Sequence, residues 1–408
     1  PYVENFDLPA NGWMQESSDS TSVNGVVQDS LWQWGSVTTA NFAGAGFWGT
    51  RFSGPNPVYR PEESAWVYSP CFNLDSLKRP MIKMSIWRNT RRGIDGTVLQ
   101  YYDNTTNAWE VLGQHGKGIE WYQDGYVVSA PGNQQTTPVG WSGANIDWED
   151  ARYRLDNIGN DLRGRTDVRF RVAFASARGT SPQVGAGFAF DSVRIGNRTR
   201  NVLTEHFSGF GYPGINQIED QLYHTIFNNL YGRDVSLIQY HLNVYANDIY
   251  YSYNNMNVIN DTRKLWYGVG DVNRVRVDGK NLVSRTSDLL NYPQLEYLDI
   301  ESLRDPKFKL EFIGSPAIRF NGASGLQATV RITALEDLPL KNYALHVVAT
   351  EDSLTSNGHT RMAVLRDKHL NAIGQRYEQI WTAGESYDLV VNLPDVNIIN
   401  NPVLSRIQ

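Results

Sequence analysis

Hydrophobic periodicity changes twice along this chain, which requires more than one kind of folding unit. From residue 1 to about 200, apolar and polar residues alternate in short runs. Met81-Ile82-Lys83-Met84-Ser85-Ile86-Trp87, Thr97-Val98-Leu99-Gln100-Tyr101-Tyr102 and Val168-Arg169-Phe170-Arg171-Val172-Ala173-Phe174 are separated by Gly, Pro, Asn and Asp turns. No stretch there holds a helical period, so the segment predicts an antiparallel β-sandwich, and its size favours a jelly roll. At Asn201 the pattern changes. A strand-like run (Val202, Leu203, Phe207) passes through a Gly-rich turn into Ile215, Ile218, Leu222, Ile226 and Phe227, spaced as one face of a helix. From about Phe308 alternation returns in Phe308, Leu310, Phe312, in Ala328 to Thr333, in Tyr343 to Ala349 and in Tyr387 to Val391, strand lengths and spacings that predict an Ig-like sandwich.

The strand–turn–helix opening carries a resemblance. V-L-T-E-H-F-S-G at 202–209 is similar to the opening of the thioredoxin-fold domain in a family of outer-membrane and surface lipoproteins of Bacteroidota, where C-x-x-C-P follows. Here the turn reads Gly211-Tyr212-Pro213-Gly214, and the usual cis-Pro position reads Asn273. Ile238 to His241 matches a central strand, Trp266-Tyr267-Gly268-Val269 the approach to the cis-Pro strand, and Asp278-Gly279 a hairpin. A thioredoxin-type oxidoreductase needs a low-pKa thiolate and a resolving partner, so losing both removes the reaction. The resemblance implies a thioredoxin-like fold kept without its chemistry, followed by an Ig-like domain with Glu351-Asp352 and the His359 to Arg366 stretch in matching places.

The first two hundred residues resemble the MAM-like jelly-roll modules of secreted Bacteroidota proteins. The carriers are Glu4-Asn5-Phe6, Glu63 to Pro70, Asp95-Gly96-Thr97-Val98, Trp109 to Gly113, Trp148 with Ala151-Arg152-Tyr153, and Gly187 to Asp191. The expected architecture is mostly β and multidomain: a jelly-roll β-sandwich over 1–200, a degenerate thioredoxin-like α/β domain over 201–306 and an Ig-like β-sandwich over 307–408. Such modules often hold a structural Ca²⁺ between first and last strands, which implies Glu4, Asp7 and Asp191 as ligands. Two or three acids with carbonyls can suffice in a rigid site, although Asp191 can equally cap a turn or pair with an arginine.

A chain of 408 residues at a net charge of −6, without a Lys/Arg block, argues against nucleic acid as partner. No apolar run is long enough to span a bilayer. Arg88, Arg91 and Arg92 read as a solvated loop, and the single cysteine, Cys71, as a buried small hydrophobe. With no leader at Pro1 and no sorting tail after Gln408, the chain is expected to be a processed protein or a fragment of a longer one. The resemblance implies a cell-surface or extracellular, outer-membrane-associated location.

Ten of the twelve tryptophans precede residue 200. They are expected chiefly to fill the sandwich core. Trp121, Tyr122, Tyr126 and Trp141, in a loop-rich region, are the alternative: a platform for glycans or a partner.

Catalytic signatures such as G-x-S-x-G, H-E-x-x-H or a P-loop are missing, and the seven histidines are scattered. Glu205 and His206 face opposite sides of a strand and cannot cooperate directly. Glu62, Glu63, Asp95, Glu110, Glu120 and Asp147 share one domain and leave a glycosidase carboxylate pair open, but such a pair is defined by its separation in space, which the sequence does not carry. No catalytic residue is assigned. The expected function is adhesion or docking by a surface protein, as cargo or accessory subunit of the type IX secretion and gliding apparatus, with other envelope proteins as partners. A carbohydrate-binding module of a larger secreted enzyme and a residual thioredoxin-like chaperone are the alternatives.

Overall fold

In a computed structural model the alternation of the first two hundred residues resolves into two six-stranded antiparallel sheets. The described residues are 1–8, 12–17, 22–23, 26–27, 31–37, 44–53, 57–157, 159–179, 185–209, 234–244, 248–251, 256–272, 274–281, 295–321, 325–352, 354–356, 359–361, 363–369 and 373–393. One sheet runs Ala144–Arg154, Pro80–Asn89, Gly187–Asn197, Gly44–Thr50, Trp32–Val37, with Tyr2–Glu4 added against Gly187–Asn197. The other runs Ala108–Val111, Gly96–Asp103, Val168–Ala175, Ser64–Phe72, Met14–Ser17, with Trp141–Ser142 added against Gly96–Asp103. Apart from two pairs of consecutive strands, Trp32–Val37 with Gly44–Thr50 and Gly96–Asp103 with Ala108–Val111, neighbours in these sheets are far apart in sequence, as in a jelly roll.

Period-two alternation sends Ile82, Met84 and Ile86 from one sheet and Val67, Leu99, Phe170 and Val172 from the other into a single core. Trp13, Trp32, Trp48, Trp121 and Trp141 belong to it. Trp87 packs with Phe47, Phe52 and Ala189 in a second cluster on the first sheet.

Two sequence expectations change here. Cys71 is exposed, not buried. The pairing of Ser64–Phe72 with Val168–Ala175 slips between Arg169↔Cys71 and Arg171↔Tyr68, and this bulge turns the strand by one side-chain step. Arg88 and Arg91 are not solvated either. Arg88 is buried and pairs with Glu149 at 3.2 Å, while Arg91 Nε and Nη2 donate to the fully buried Asp95 at 2.5 and 2.8 Å. Only Arg92 of the three is open to solvent.

The chain divides into two compact units, Pro1–Arg198 and Thr199–Gln408. The second is built on a mixed six-stranded sheet, in order Lys280–Asn281, Arg274–Val277, Val202–Ser208, Val235–His241, Val364–Lys368, Val348–Glu351. Val202–Ser208 and Val235–His241 are parallel neighbours, registered from Val202↔Val235 to Ser208↔His241. Asp278 and Gly279, both at positive φ, turn the Arg274–Asn281 hairpin, as this dipeptide predicts. Met256–Trp266 and Leu295–Ser302 are helical.

Beyond residue 307, Phe308–Asn321, Gly325–Ala334 and Ser386–Leu393 form one antiparallel sheet and Leu338–Leu345 with Gln375–Trp381 a second, and Val330, Ile332, Val391, Leu338 and Trp381 share a core. The expected single strand from Tyr343 to Ala349 is broken at His346–Val347. Residues 338–345 stay in the sandwich, whereas 348–351 and 364–368 pair into the mixed sheet beside Val235–His241. The sheets on the two sides of residue 306 therefore interleave. The mostly β, multidomain architecture holds. No helix among the described residues is long and apolar enough to cross a membrane.

Candidate functional site

Trp121, Tyr122 and Trp141 do not form a surface platform. All three are buried, and their polar ends are satisfied internally. Trp121 Nε1 donates to the Leu112 carbonyl at 3.1 Å, Trp141 Nε1 to the Glu120 carbonyl at 2.9 Å, and the Tyr122 hydroxyl sits 3.0 and 2.9 Å from the Leu99 and Leu112 carbonyls. Trp121 stacks on Tyr153 at 4.9 Å and Trp141 on Phe188 at 5.7 Å. Gly113 admits this cluster: at φ +86, a Cβ there would lie 2.7 Å from Trp121 Nε1. Of the four expected residues only Tyr126 is exposed, at 60%.

The accessible aromatic surface is elsewhere, on the outer face of the six-stranded sheet that holds Ser64–Phe72. There Ala65 and Val67 point inward, so Trp66 and Tyr68 point outward and are half-buried. Arg169 and Arg171 lie beside them, then Gln100 and Tyr102, then Trp109. Arg171 is held between two indoles, its Cζ 4.5 Å from the Trp109 ring centroid and 5.4 Å from that of Trp66. Its Nε donates to Gln100 Oε1 at 2.8 Å, and Gln100 Nε2 donates to the Gly132 carbonyl at 3.0 Å. Arg169 stacks over Tyr68 at 5.3 Å, and Trp109 lies 5.4 Å from both Tyr68 and Tyr102. Rings and guanidinium fix one another, so this surface is already ordered. Residues two apart on alternating strands are the signal that sequence reading passed over, because it ranked loops above sheet faces.

Of the three expected metal ligands, Glu4 and Asp191 lie at one bulge, and Asp7 is near enough for its charge to act on Asp191. Gly187–Asn197 slips against Pro80–Asn89 between Asp191↔Ser85 and Arg194↔Lys83, and Tyr2–Glu4 adds its edge there with Glu4 opposite Val193. Ser192 N donates to Asp191 Oδ1 at 2.5 Å and Phe6 N to Glu4 Oε1 at 2.8 Å. Burial pushes the Asp191 carboxyl up to about 6; the Ser192 N–H opposes this, and the Asp7 and Glu4 charges add to it. Among the described residues no group of three or more His, Cys, Asp or Glu side chains is arranged to hold a metal. The fit to calcium is incomplete, and the cluster stands as crowded carboxylates.

A pH dependence follows. Below pH 4 both folded and unfolded chains hold the Asp191 proton. As pH rises to about 6 the unfolded chain releases it first, so stability falls across that interval and is flat above it. Asp191→Asn is expected to remove this slope. Its melting temperature should match the wild type near pH 4 and exceed it at pH 7, as measured by thermal unfolding across the range.

In the second unit, Gly211, Tyr212, Pro213, Gly214 and Asn273 lie outside the described residues. The strands around them are described. Glu205 and His206 are both buried and face opposite sides, as expected. Glu205 accepts from Arg263 Nε at 2.7 Å, from the Tyr240 hydroxyl at 3.1 Å and from the Tyr267 hydroxyl at 2.5 Å. His206 Nδ1 lies 3.4 Å from Gln239 Nε2, and His241 Nδ1 2.7 Å from Asp248. In the first unit Glu63 is tied to Arg51 and the Arg60 N–H, and Asp95 to Arg91, the Tyr59 hydroxyl and the Ala177 N–H. These groups hold the interior together.

No family model matches this chain, and no curated protein matches it. Among solved structures it is similar to HBP35 of Porphyromonas gingivalis at 12% identity and TM-score 0.37, over 48% of this chain and 65% of that one. A cleaved adhesin domain of Lys-gingipain from Porphyromonas gingivalis aligns at 11% identity and TM-score 0.27, over 48% of this chain and 98% of its own. TmCBM61 in complex with β-1,4-galactotriose aligns at 6% identity and TM-score 0.27, over 46% of this chain and 89% of its own.

Proposed function

We propose that this chain is a non-catalytic binding protein of the cell surface or secreted space, and that its first unit holds glycans on the outer face of the Ser64–Phe72 sheet. The observation that carries this reading is the clamp of Arg171 between Trp66 and Trp109, flanked by Tyr68 and Tyr102. Flat, half-buried rings offer a pyranose its C–H face, and the arginines beside them offer hydrogen bonds to hydroxyls. Because the rings are already ordered, little side-chain entropy is lost on binding. The buried, mutually paired carboxylates and histidines support a binding role over a catalytic one.

Delivery as cargo or accessory subunit of the type IX secretion and gliding apparatus belongs to the same proposal, since it would display such a face on the cell. Calcium at Glu4, Asp7 and Asp191 would offset the burial, and the added Asp7 and Glu4 charges, that raise Asp191. If it is bound, chelator lowers the melting temperature of the wild type and not that of Asp191→Asn.

Titration calorimetry of the full chain against a panel of neutral oligosaccharides tests the glycan face. Trp109→Ala is expected to weaken the best ligand by at least about tenfold. Tyr126→Ala should leave its affinity unchanged. The reverse pattern, or a panel without a binder, would reject the sheet face as a glycan site.

A further inference from the structure

In the other unit a pocket opens where the chain leaves the sandwich for the mixed sheet. His346 is in that crossing segment, directly after Leu338–Leu345, and Arg376 is registered opposite Ala344 on the adjacent strand. The end of helix Met256–Trp266 brings Arg263 and Trp266 to the same place. Together with Asn342 they line an open pocket of about 350 Å³. That is within the range of ~300–1,000 Å³ typical of small-ligand sites.

The walls share one electrostatic character. Arg263, His346 and Arg376 line the pocket, and no Asp or Glu does among the described residues. Arg376 makes no ion pair among the described residues and is exposed. Arg263 is fixed: its Nε and Nη2 donate to Glu205 at 2.7 Å and the Tyr267 hydroxyl at 2.8 Å, its Cζ lies 4.6 Å over the Tyr267 ring, and Nη1 has no protein partner among the described residues. Burial lowers His346 to about 4, with Lys368 and Arg263 adding to the effect, so at neutral pH the imidazole is an uncharged hydrogen-bonding group in a positive field. Its Nδ1 is buried without a hydrogen-bond partner among the described residues. Lys368, buried behind the pocket, is itself lowered to about 8 by burial and by Arg263. Trp266 stands 64% exposed at the rim, an indole with no role in the core.

We propose that this pocket binds a uronic acid residue of an acidic glycan, with the carboxylate on Arg376 and the free edge of Arg263, ring hydroxyls on Asn342, and the sugar face against Trp266. Guanidinium groups match carboxylates by geometry as well as charge, and an exposed indole beside them suits a flat C–H face. A peptide C-terminus shares the carboxylate but presents no such face. The site is separate from the sheet face of the first unit and shares with that reading only the choice of sugar as ligand class.

The test is calorimetry on the full chain with trigalacturonate, its methyl ester, and a tetrapeptide with a free C-terminal carboxylate. Trigalacturonate should bind, and its ester at least about tenfold more weakly, since esterification removes the charge-assisted bonds. Arg376→Gln and Trp266→Ala, both at exposed positions that the fold tolerates, should each weaken trigalacturonate by about tenfold or more. Trp109→Ala should leave it within about twofold. Absence of binding, equal binding of the ester, indifference to Arg376→Gln, tighter binding of the peptide, or loss only in Trp109→Ala would each overturn the proposal. Failure of the sheet-face reading is read separately, from neutral oligosaccharides and Trp109→Ala.

Discussion

Replacing Trp141 by alanine is expected to destabilise the Pro1–Arg198 unit by about 3–5 kcal/mol, the usual cost of removing a fully buried aromatic. Trp141 is fully buried, within 5.0 Å of the Trp121 ring, 4.8 Å of Tyr122 and 5.7 Å of Phe188. Its loss opens a cavity bounded by these rings, of which Trp121 is itself stacked on Tyr153, and it orphans the Glu120 carbonyl that accepts its indole N–H at 2.9 Å. For a unit of this size the melting temperature should drop on the order of 10 °C. Calorimetric unfolding measures it directly. A surface platform residue would cost within about 0.5 kcal/mol, so the same experiment separates the core role from the sugar-stacking role that the sequence left open.

The second large effect is expected at Glu205. Its carboxylate is fully buried and accepts from Arg263, Tyr240 and Tyr267. Glu205→Ala leaves the Arg263 guanidinium buried without its counter-charge, and removing one partner of a buried ion pair costs about 3–5 kcal/mol. Both phenols lose their acceptor as well. Glu205→Gln keeps an acceptor oxygen and loses the charge, so it should fall between wild type and alanine. Urea unfolding of the three proteins would order them, and an alanine variant as stable as the wild type would show that the pair is dispensable.

Much of this fold was legible because alternation is local. In Ser64–Phe72, Ala65 and Val67 face the core and Trp66 and Tyr68 face out, as period two dictates. The Asp278-Gly279 turn followed from the need for positive φ at both central positions. The opposed faces of Glu205 and His206 followed from strand geometry alone. Bulges defeated the same logic: one at Cys71 and one at Asp191 each shift a strand by a side-chain step, and neither is written in composition.

The candidate sites were less legible. Sequence reading favoured a core role for the tryptophans but kept the aromatics of the 121–141 region as a candidate surface platform, because their neighbours are polar and turn-rich. Those neighbours instead fold the loop over itself and send the rings inward. The Arg171 clamp brings together residues from strands 64–72, 108–111 and 168–175, far apart in the chain, and its existence depends on strand order.

By itself the sequence determined the local terms: which segments are strands, which turn needs glycine, which face of a regular strand is apolar, and that three kinds of segment follow one another. The tertiary structure alone decided which sheet each strand joins, as in Val348–Glu351 and Val364–Lys368 pairing into the mixed sheet while Leu338–Leu345 stays in the sandwich. It also decided which outward faces are covered and which charges end up around one pocket. Backbone pairing is chemically the same for every strand, so partner choice is set by the sum of distant side-chain contacts, and no window along the chain contains that sum.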